Sequence, residues 1–169
     1  MSGGDRRVQF AAAFYDQALS DWKVYGHLTR LGLPRCHELH YLQMACEKLA
    51  KAYRLRNVSA DVDGIISRHT GFVGFINVYP RSPAILAEYE GQDARHKEVC
   101  RTSSTIAREI EKLAPAIDRE ESPENAEYPW EREDTVLVPC QYPFPALSLL
   151  DAHGGRAFLK LVDRAFRDY

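Results

Sequence analysis

Apolar side chains recur along much of the chain at steps of three and four residues, the spacing of one face of an α-helix. The first stripe predicts a helix from Val8 to about Thr29, and the second predicts one from Arg35 to Leu55. Pro34 separates them, because proline disfavours helical geometry at the residue before it. The second stripe is the clearest in the chain and consists of Leu39, Leu42, Cys46, Leu49 and Tyr53.

The segment after the second helix predicts a connector followed by a short helix. Residues 57–63 are mostly polar, which is typical of a connector. The run from Ile65 to Val78 is apolar and predicts a short helix, although Gly71 and Gly74 interrupt it. Prolines in the segment Tyr79–Pro83 end this helix.

Two longer helices are predicted in the remainder of the chain. One runs from Ala84 to about Arg119 with a bend near Gly91, and its apolar stripe consists of Val99, Ile106, Ile110, Leu113 and Ile117. The other spans 145–167, because Pro145 suits the first turn of a helix, where its missing N–H is harmless. Gly154-Gly155 predicts a kink in this last helix.

Between these two helices, the segment 120–144 predicts an irregular loop. Its first half is acidic, and although Thr135–Val138 has the composition of an extended strand, prolines at 139, 143 and 145 exclude a regular central strand. The whole pattern predicts an all-α fold of about five helices, arranged as an up-and-down antiparallel bundle. Residues 1–169 then form a single domain, with an irregular Pro-rich segment before the last helix.

Composition narrows the class of protein. Of the 169 residues 45% are hydrophobic, enough for one sizeable core, and 22 basic against 24 acidic residues give a net charge of −2. This balance argues against a protein that captures nucleic acid through its overall charge, but it leaves a local basic patch open. We expect a cytoplasmic protein, because the sequence shows neither a signal sequence nor an apolar run long enough to span a membrane. Four scattered cysteines, without a C-x-x-C pair, predict free thiols.

The second predicted helix resembles the signature helix of the HEPN family. The matching residues are Tyr41, Gln43, Ala45, Glu47-Lys48, Leu49 and Lys51-Ala52. Asp21 in the preceding helix and the segment Arg68-His69-Thr70 also lie where the family has an acidic residue and a histidine. The resemblance covers the signature region 8–79.

This resemblance implies a HEPN-like helical bundle that binds nucleotide or RNA, or associates with a protein partner, without catalysing a reaction. It further implies a homodimer, a small nucleotidyltransferase as a possible partner, and a role in a toxin–antitoxin or defence system. An unrelated helical scaffold protein is the alternative, because an amphipathic helix of ordinary composition would also satisfy much of the pattern.

A second alternative is a metal-independent ribonuclease, since many HEPN proteins place an Arg and a His, with four to six residues between them, at a dimer cleft. The arginine there stabilises developing phosphorane charge and the histidine moves a proton. Arg35 and His40 match the spacing but lie in an earlier helix than the resemblance implies. Arg68 and His69 lie in the later region but are adjacent, so they form a divergent candidate pair.

A polar stripe beside the apolar one supplies the candidate ligand- or partner-binding residues. The stripe consists of His40, Gln43, Glu47, Lys51 and Arg54. The candidate binding residues are three of these, Gln43, Glu47 and Lys51, together with Lys48. Either this stripe is a solvated flank, or it is a partly buried seam whose members bind neighbouring helices or a ligand.

Neither a metal nor another cofactor is predicted. Cys36 and His40 lie one helical turn apart and offer two ligands, but a structural zinc needs two more, and no second Cys/His pair has suitable spacing. The sequence also lacks a glycine-rich phosphate loop.

Overall fold

The computed structural model of this chain describes residues 3–114 and 119–169, which are mostly helical. The first two helices, α1 (Gly3–Leu28) and α2 (Arg35–Leu55), form an antiparallel hairpin, as the two long apolar stripes predict. Gly32 lies in the turn between them with a φ of 62°, a conformation that glycine adopts without steric cost. Pro34 directly precedes α2 and ends the turn.

The short helix predicted for 65–78 is two helices, α3 (Val62–Ser67) and α4 (Phe72–Val78). The side chain of Asp61 accepts a hydrogen bond from the backbone N–H of Gly64 (3.1 Å) and caps α3. At the break, Gly71 has a φ of 139°, which residues with a β-carbon rarely adopt. The glycine therefore separates two helices rather than weakening one.

The long helix predicted for 84–119 is also divided. It consists of α5 (Pro83–Glu88) and α6 (Asp93–Glu111), and Gly91, with a φ of 72°, lies in the turn between them. The predicted bend near Gly91 is therefore a complete break. The part of the prediction that concerns Ile117 falls outside the described residues.

The segment 120–144 contains regular structure that the sequence did not predict. Strands β1 (Trp130–Arg132) and β2 (Thr135–Leu137) pair antiparallel through a two-residue turn. Glu133 and Asp134 in this turn both have positive φ (50° and 61°), as a type I′ turn requires. Because such turns usually carry Asn-Gly, the Glu-Asp pair gave no hairpin signal. A 3₁₀-helix, Pro139–Gln141, follows.

The single helix predicted for 145–167 is wrong in its first part. Residues Pro145–Asp151 form a 3₁₀-helix, and α7 (His153–Asp168) begins after a change of direction at Ala152. The division precedes the predicted kink at Gly154-Gly155. Gly155 lies directly against the backbone carbonyls of Leu149 and Leu150, where a β-carbon would have no room.

The core lies where α2, α4, α6 and α7 meet. Its fully buried members include Leu39, Leu42, Leu49, Ile106, Ile110, Phe158 and Val162. Within the described ranges there are seven α-helices, not five, with one two-stranded sheet, so the all-α class holds while the number of helices differs. None of the helices in those ranges has the length and apolar character needed to cross a membrane.

Candidate functional site

Three of the four predicted binding residues form a network inside the fold, centred on the Glu47 carboxylate. Gln43 Nε2 donates to Glu47 Oε2 (2.8 Å), and Lys51 Nζ lies 2.9 Å from Glu47 Oε1. Lys51 also donates to the backbone carbonyl of Ile66 (3.0 Å). Since Gln43 and Lys51 are only 3% and 5% exposed, the seam is buried and its polar groups bind one another.

The fourth residue, Lys48, joins the first two helices. Its Nζ lies 2.5 Å from Asp21 Oδ2, and the Lys48 and Asp21 side chains are 15% and 7% exposed. Gln17 donates a further hydrogen bond to Asp21 (3.0 Å). All four predicted binding side chains thus have partners within the fold, and the seam holds helices together.

The Arg35 and His40 side chains contact different parts of the molecule. Arg35 lies 3.2 Å from Asp151, just before α7, and 3.4 Å from Glu38 on its own helix. His40 Nδ1 lies 3.4 Å from the carboxylate of Glu127, in the segment before β1. The two predicted catalytic residues therefore pair with separate carboxylates.

Arg68 and His69 occupy the break between α3 and α4. His69 Nδ1 lies 3.1 Å from Glu47 Oε1, so the exposed histidine is joined to the buried network. Arg68 contributes instead to the wall of a large groove. The helix break thus directs these adjacent side chains to two neighbouring surfaces.

The groove has a volume of about 1180 Å³ and lies between the end of α2, helices α3 and α4, and the segment 79–82. Arg54, Arg68 and Arg81 line it, and we refer to it as the arginine groove. Among the described residues one carboxylate, that of Asp61, also lines the groove and is engaged in capping α3. The local charge is therefore positive although the chain is slightly acidic.

The three arginines keep their charge available to a ligand. In the part of the chain that the structure describes, no carboxylate lies within ion-pair distance of any of them. Arg54 makes a long hydrogen bond to the carbonyl of Thr70 (3.5 Å), and Arg81 donates to the carbonyl of Asn77. Neutral carbonyls orient a guanidinium but do not cancel its charge.

The remaining wall is largely apolar. It includes two tyrosines whose hydroxyl groups form hydrogen bonds within the fold. Tyr53 donates to the Ala165 carbonyl (2.7 Å), and Tyr79 donates to Asp168 (2.8 Å), both on α7. Burial raises the pKa of Tyr53 to about 12, and burial together with the Asp168 carboxylate raises the pKa of Tyr79. Both phenols stay neutral and fix the groove wall to α7.

The position of α4 depends on a carboxylate from α6. Glu111 Oε2 accepts hydrogen bonds from the backbone N–H groups of Gly71 and Val73, both at 3.0 Å. An acidic side chain at a helix N-terminus satisfies N–H groups that have no partner within the helix. Glu111 therefore holds one wall of the arginine groove in place.

Sequence reasoning identified only part of this groove. It singled out Arg68, treated Arg54 as a member of a polar stripe, and missed Arg81. The signal was weak because the three arginines belong to three different segments, which come together only in the folded chain.

No protein-family model matches the chain, and neither a curated protein nor a solved structure shows significant similarity to it. Among the described residues, no group of three or more His, Cys, Asp or Glu side chains is placed to hold a metal ion. The arginine groove and the network beside it are therefore the features of the chain that point to a function.

Proposed function

We propose that this chain is a HEPN-like module that binds a phosphate-bearing ligand, a nucleotide or a segment of RNA, in the arginine groove. The observation that carries the proposal is the set of three arginines, Arg54, Arg68 and Arg81, around one open groove. Guanidinium groups bind phosphate oxygens through charge-assisted and often paired hydrogen bonds.

The composition of the wall supports the same ligand. Small-molecule sites are mostly apolar, with a few polar groups that fix orientation. Ile65, Phe75 and Val78 supply an apolar surface for a base or ribose, while the arginines supply contacts for phosphate. The groove thus offers contacts for both halves of a nucleotide.

The antiparallel pairing of α1 and α2 supports the HEPN-like part of the proposal. The signature residues Glu47-Lys48 lie on α2, and Lys48 pairs with Asp21 of α1. On this basis we propose a cytoplasmic protein that forms a homodimer, acts in a toxin–antitoxin or defence system and has a small nucleotidyltransferase as its partner. Size-exclusion chromatography with light scattering tests the dimer directly.

Arg68→Ala is expected to weaken binding of both ATP and a fluorescent oligoadenylate at least about tenfold, because one charge-assisted hydrogen bond contributes about 1.5–3 kcal/mol. Calorimetry and fluorescence polarisation measure the two affinities. Arg30→Ala is the matched control, since Arg30 is an exposed arginine in the α1–α2 turn, outside the arginine groove. The proposal is wrong if the wild-type chain binds neither probe, or if the two variants bind equally well.

One observation favours ribonuclease activity as the second candidate. Glu47 holds His69 through Nδ1, an arrangement in which a carboxylate orients a histidine so that Nε2 can act as a base. His69 Nε2 would take the proton of a ribose 2′-hydroxyl as that oxygen attacks the adjacent phosphorus, while the departing 5′-oxygen takes a proton from water. Arg68, on the neighbouring surface, would stabilise the charge that develops on a phosphate held between the two surfaces.

If this second candidate is right, His69→Ala is expected to lower the rate of RNA cleavage at least about a hundredfold. General acid–base catalysis contributes about 10²–10⁴-fold to a rate, and this is the lower end of that range. His40→Ala, in which the altered histidine pairs with Glu127, is expected to retain activity. Gel assays with labelled RNA measure both rates. Cleavage that survives both substitutions, or an inactive wild-type chain, excludes this candidate.

A further inference from the structure

A second groove, which we call the α6 groove, adjoins the arginine groove. It has a volume of about 640 Å³ and lies along α6, beside α5 and the end of α4. Arg81, Lys97, Arg101 and Arg108 line it, and within the described ranges no aspartate or glutamate does. It is therefore a second concave surface of positive charge.

Most of this charge has no counter-charge among the residues that the structure describes. Arg101 forms an ion pair with Glu98 (2.9 Å), but both side chains are exposed, where such pairs are weak. Lys97 and Arg108 are exposed and, among the residues that the structure describes, have no acidic partner within ion-pair distance. Both are thus available to a polyanion.

The two grooves are continuous. Asn77 and Arg81 line both, and the Arg81 guanidinium donates to the Asn77 carbonyl at the boundary. From this boundary, Lys97, Arg101 and Arg108 follow one face of α6 at steps of four and seven residues. Lys97 and Arg108 are about 16 Å apart along the helix axis at about 1.5 Å per residue. That is the length of about five stacked nucleotides at about 3.4 Å each.

We infer that the two grooves form one path for a single-stranded polynucleotide, whose backbone passes Arg81 and continues along α6. The inference rests on the proposed function and extends it, because a mononucleotide fills only the arginine groove. A flexible single strand can follow a path that passes from one set of helices to another, whereas a duplex is stiff over such lengths. Positively charged grooves that track the backbone are typical of single-strand binding.

The test compares ATP with a fluorescent oligoadenylate of about twelve nucleotides, long enough to occupy both grooves. In the double variant Lys97→Ala/Arg108→Ala we expect oligoadenylate affinity to fall about tenfold and ATP affinity to stay unchanged. The slope of log affinity against log salt is expected to decrease by about 1.4, because each phosphate contact on a single strand contributes about 0.7. Fluorescence polarisation at several salt concentrations measures both effects.

The matched control is Lys23→Ala/Arg30→Ala, which removes the same two charges from exposed positions on α1 and its following turn. It is expected to change oligoadenylate affinity less than about twofold. All four side chains are exposed, and circular dichroism verifies that both double variants fold.

Three results would overturn the inference, and they differ in what they say about the proposed function. If the Lys97/Arg108 variant matches the control while Arg68→Ala weakens both probes, the path is wrong and the proposed function stands. A parallel loss of ATP binding in the Lys97/Arg108 variant also rejects the path, because it places those contacts in the mononucleotide site. If the wild-type chain binds neither probe, both proposals fail.

Discussion

Glu47→Ala is expected to lower the free energy of unfolding by about 3 kcal/mol, because it leaves a buried ammonium group without its counter-charge. The Lys51 side chain is 6% exposed and lies 2.9 Å from Glu47. We expect the lower end of the range of about 3–5 kcal/mol for a broken buried pair, since Lys51 keeps its hydrogen bond to Ile66. Urea denaturation measures the change.

Glu98→Ala is the matched control for this substitution. Glu98 also pairs with a basic residue on its own helix, Arg101, but both side chains are more than half exposed. Exposed pairs contribute about 0.2–1 kcal/mol, so the control is expected to change stability by less than about 1 kcal/mol. Equal effects of Glu47→Ala and Glu98→Ala would contradict the conclusion that the seam is a buried structural network.

A double substitution separates the two causes of the loss. Glu47→Leu/Lys51→Met removes both charges and fills similar space with apolar atoms. Replacing a buried ion pair in this way is often neutral or stabilising, so the double variant is expected to be more stable than Glu47→Ala. If the double variant is no more stable, the loss of stability in Glu47→Ala comes mainly from the hydrogen bonds that involve Gln43 and Ile66 and not from the unpaired charge.

The two long N-terminal helices could be predicted because their information is local. The stripe from Leu39 to Tyr53 repeats over several turns, and a repeat of that length identifies one helical face without knowledge of any partner. The structure confirms α2 at Arg35–Leu55, the bounds that the stripe and Pro34 indicate. The pattern also places Leu39, Leu42, Cys46 and Leu49 in the core, where the structure has them.

The later helices could be predicted only in outline, because glycine is compatible with a bend and with a break. Gly71 and Gly91 were visible as interruptions, but the sequence did not show that each lies, with a positive φ, in a complete break between two helices. At Gly71 the deciding contact is the hydrogen bond to Glu111, which lies 40 residues away along the chain. Periodicity carries no information about such a contact.

The candidate site was predicted less well than the fold for the same reason. Gln43, Glu47 and Lys51 were recognised as a polar seam, but a sequence does not show whether such a seam faces a ligand or its own fold. In the folded chain Glu47 contacts His69, 22 residues later, and Lys51 donates to the carbonyl of Ile66, 15 residues later. The arginine groove depends on three segments that meet only in the folded chain.

Phe158→Ala is expected to lower the free energy of unfolding by about 3–5 kcal/mol, the range for removing a buried phenylalanine. The side chain is fully buried in α7, and its ring meets that of Phe72 edge to face, with centroids 6.1 Å apart. Phe72 begins α4, so the cavity opens behind a wall of the arginine groove. Urea denaturation measures the loss.

Two controls separate a cavity from the loss of any aromatic ring. Phe158→Leu keeps most of the apolar volume and is expected to cost less than about 1.5 kcal/mol. Tyr128→Ala removes a ring that is 64% exposed, and its free energy of unfolding is expected to stay within about 0.5 kcal/mol of the wild-type value. If α4 shifts into the cavity, the folded Phe158→Ala variant also binds ATP more weakly, because Gly74 and Phe75 of α4 line the arginine groove. A large loss of stability with unchanged ATP affinity would mean that Glu111 alone is enough to hold α4 in place.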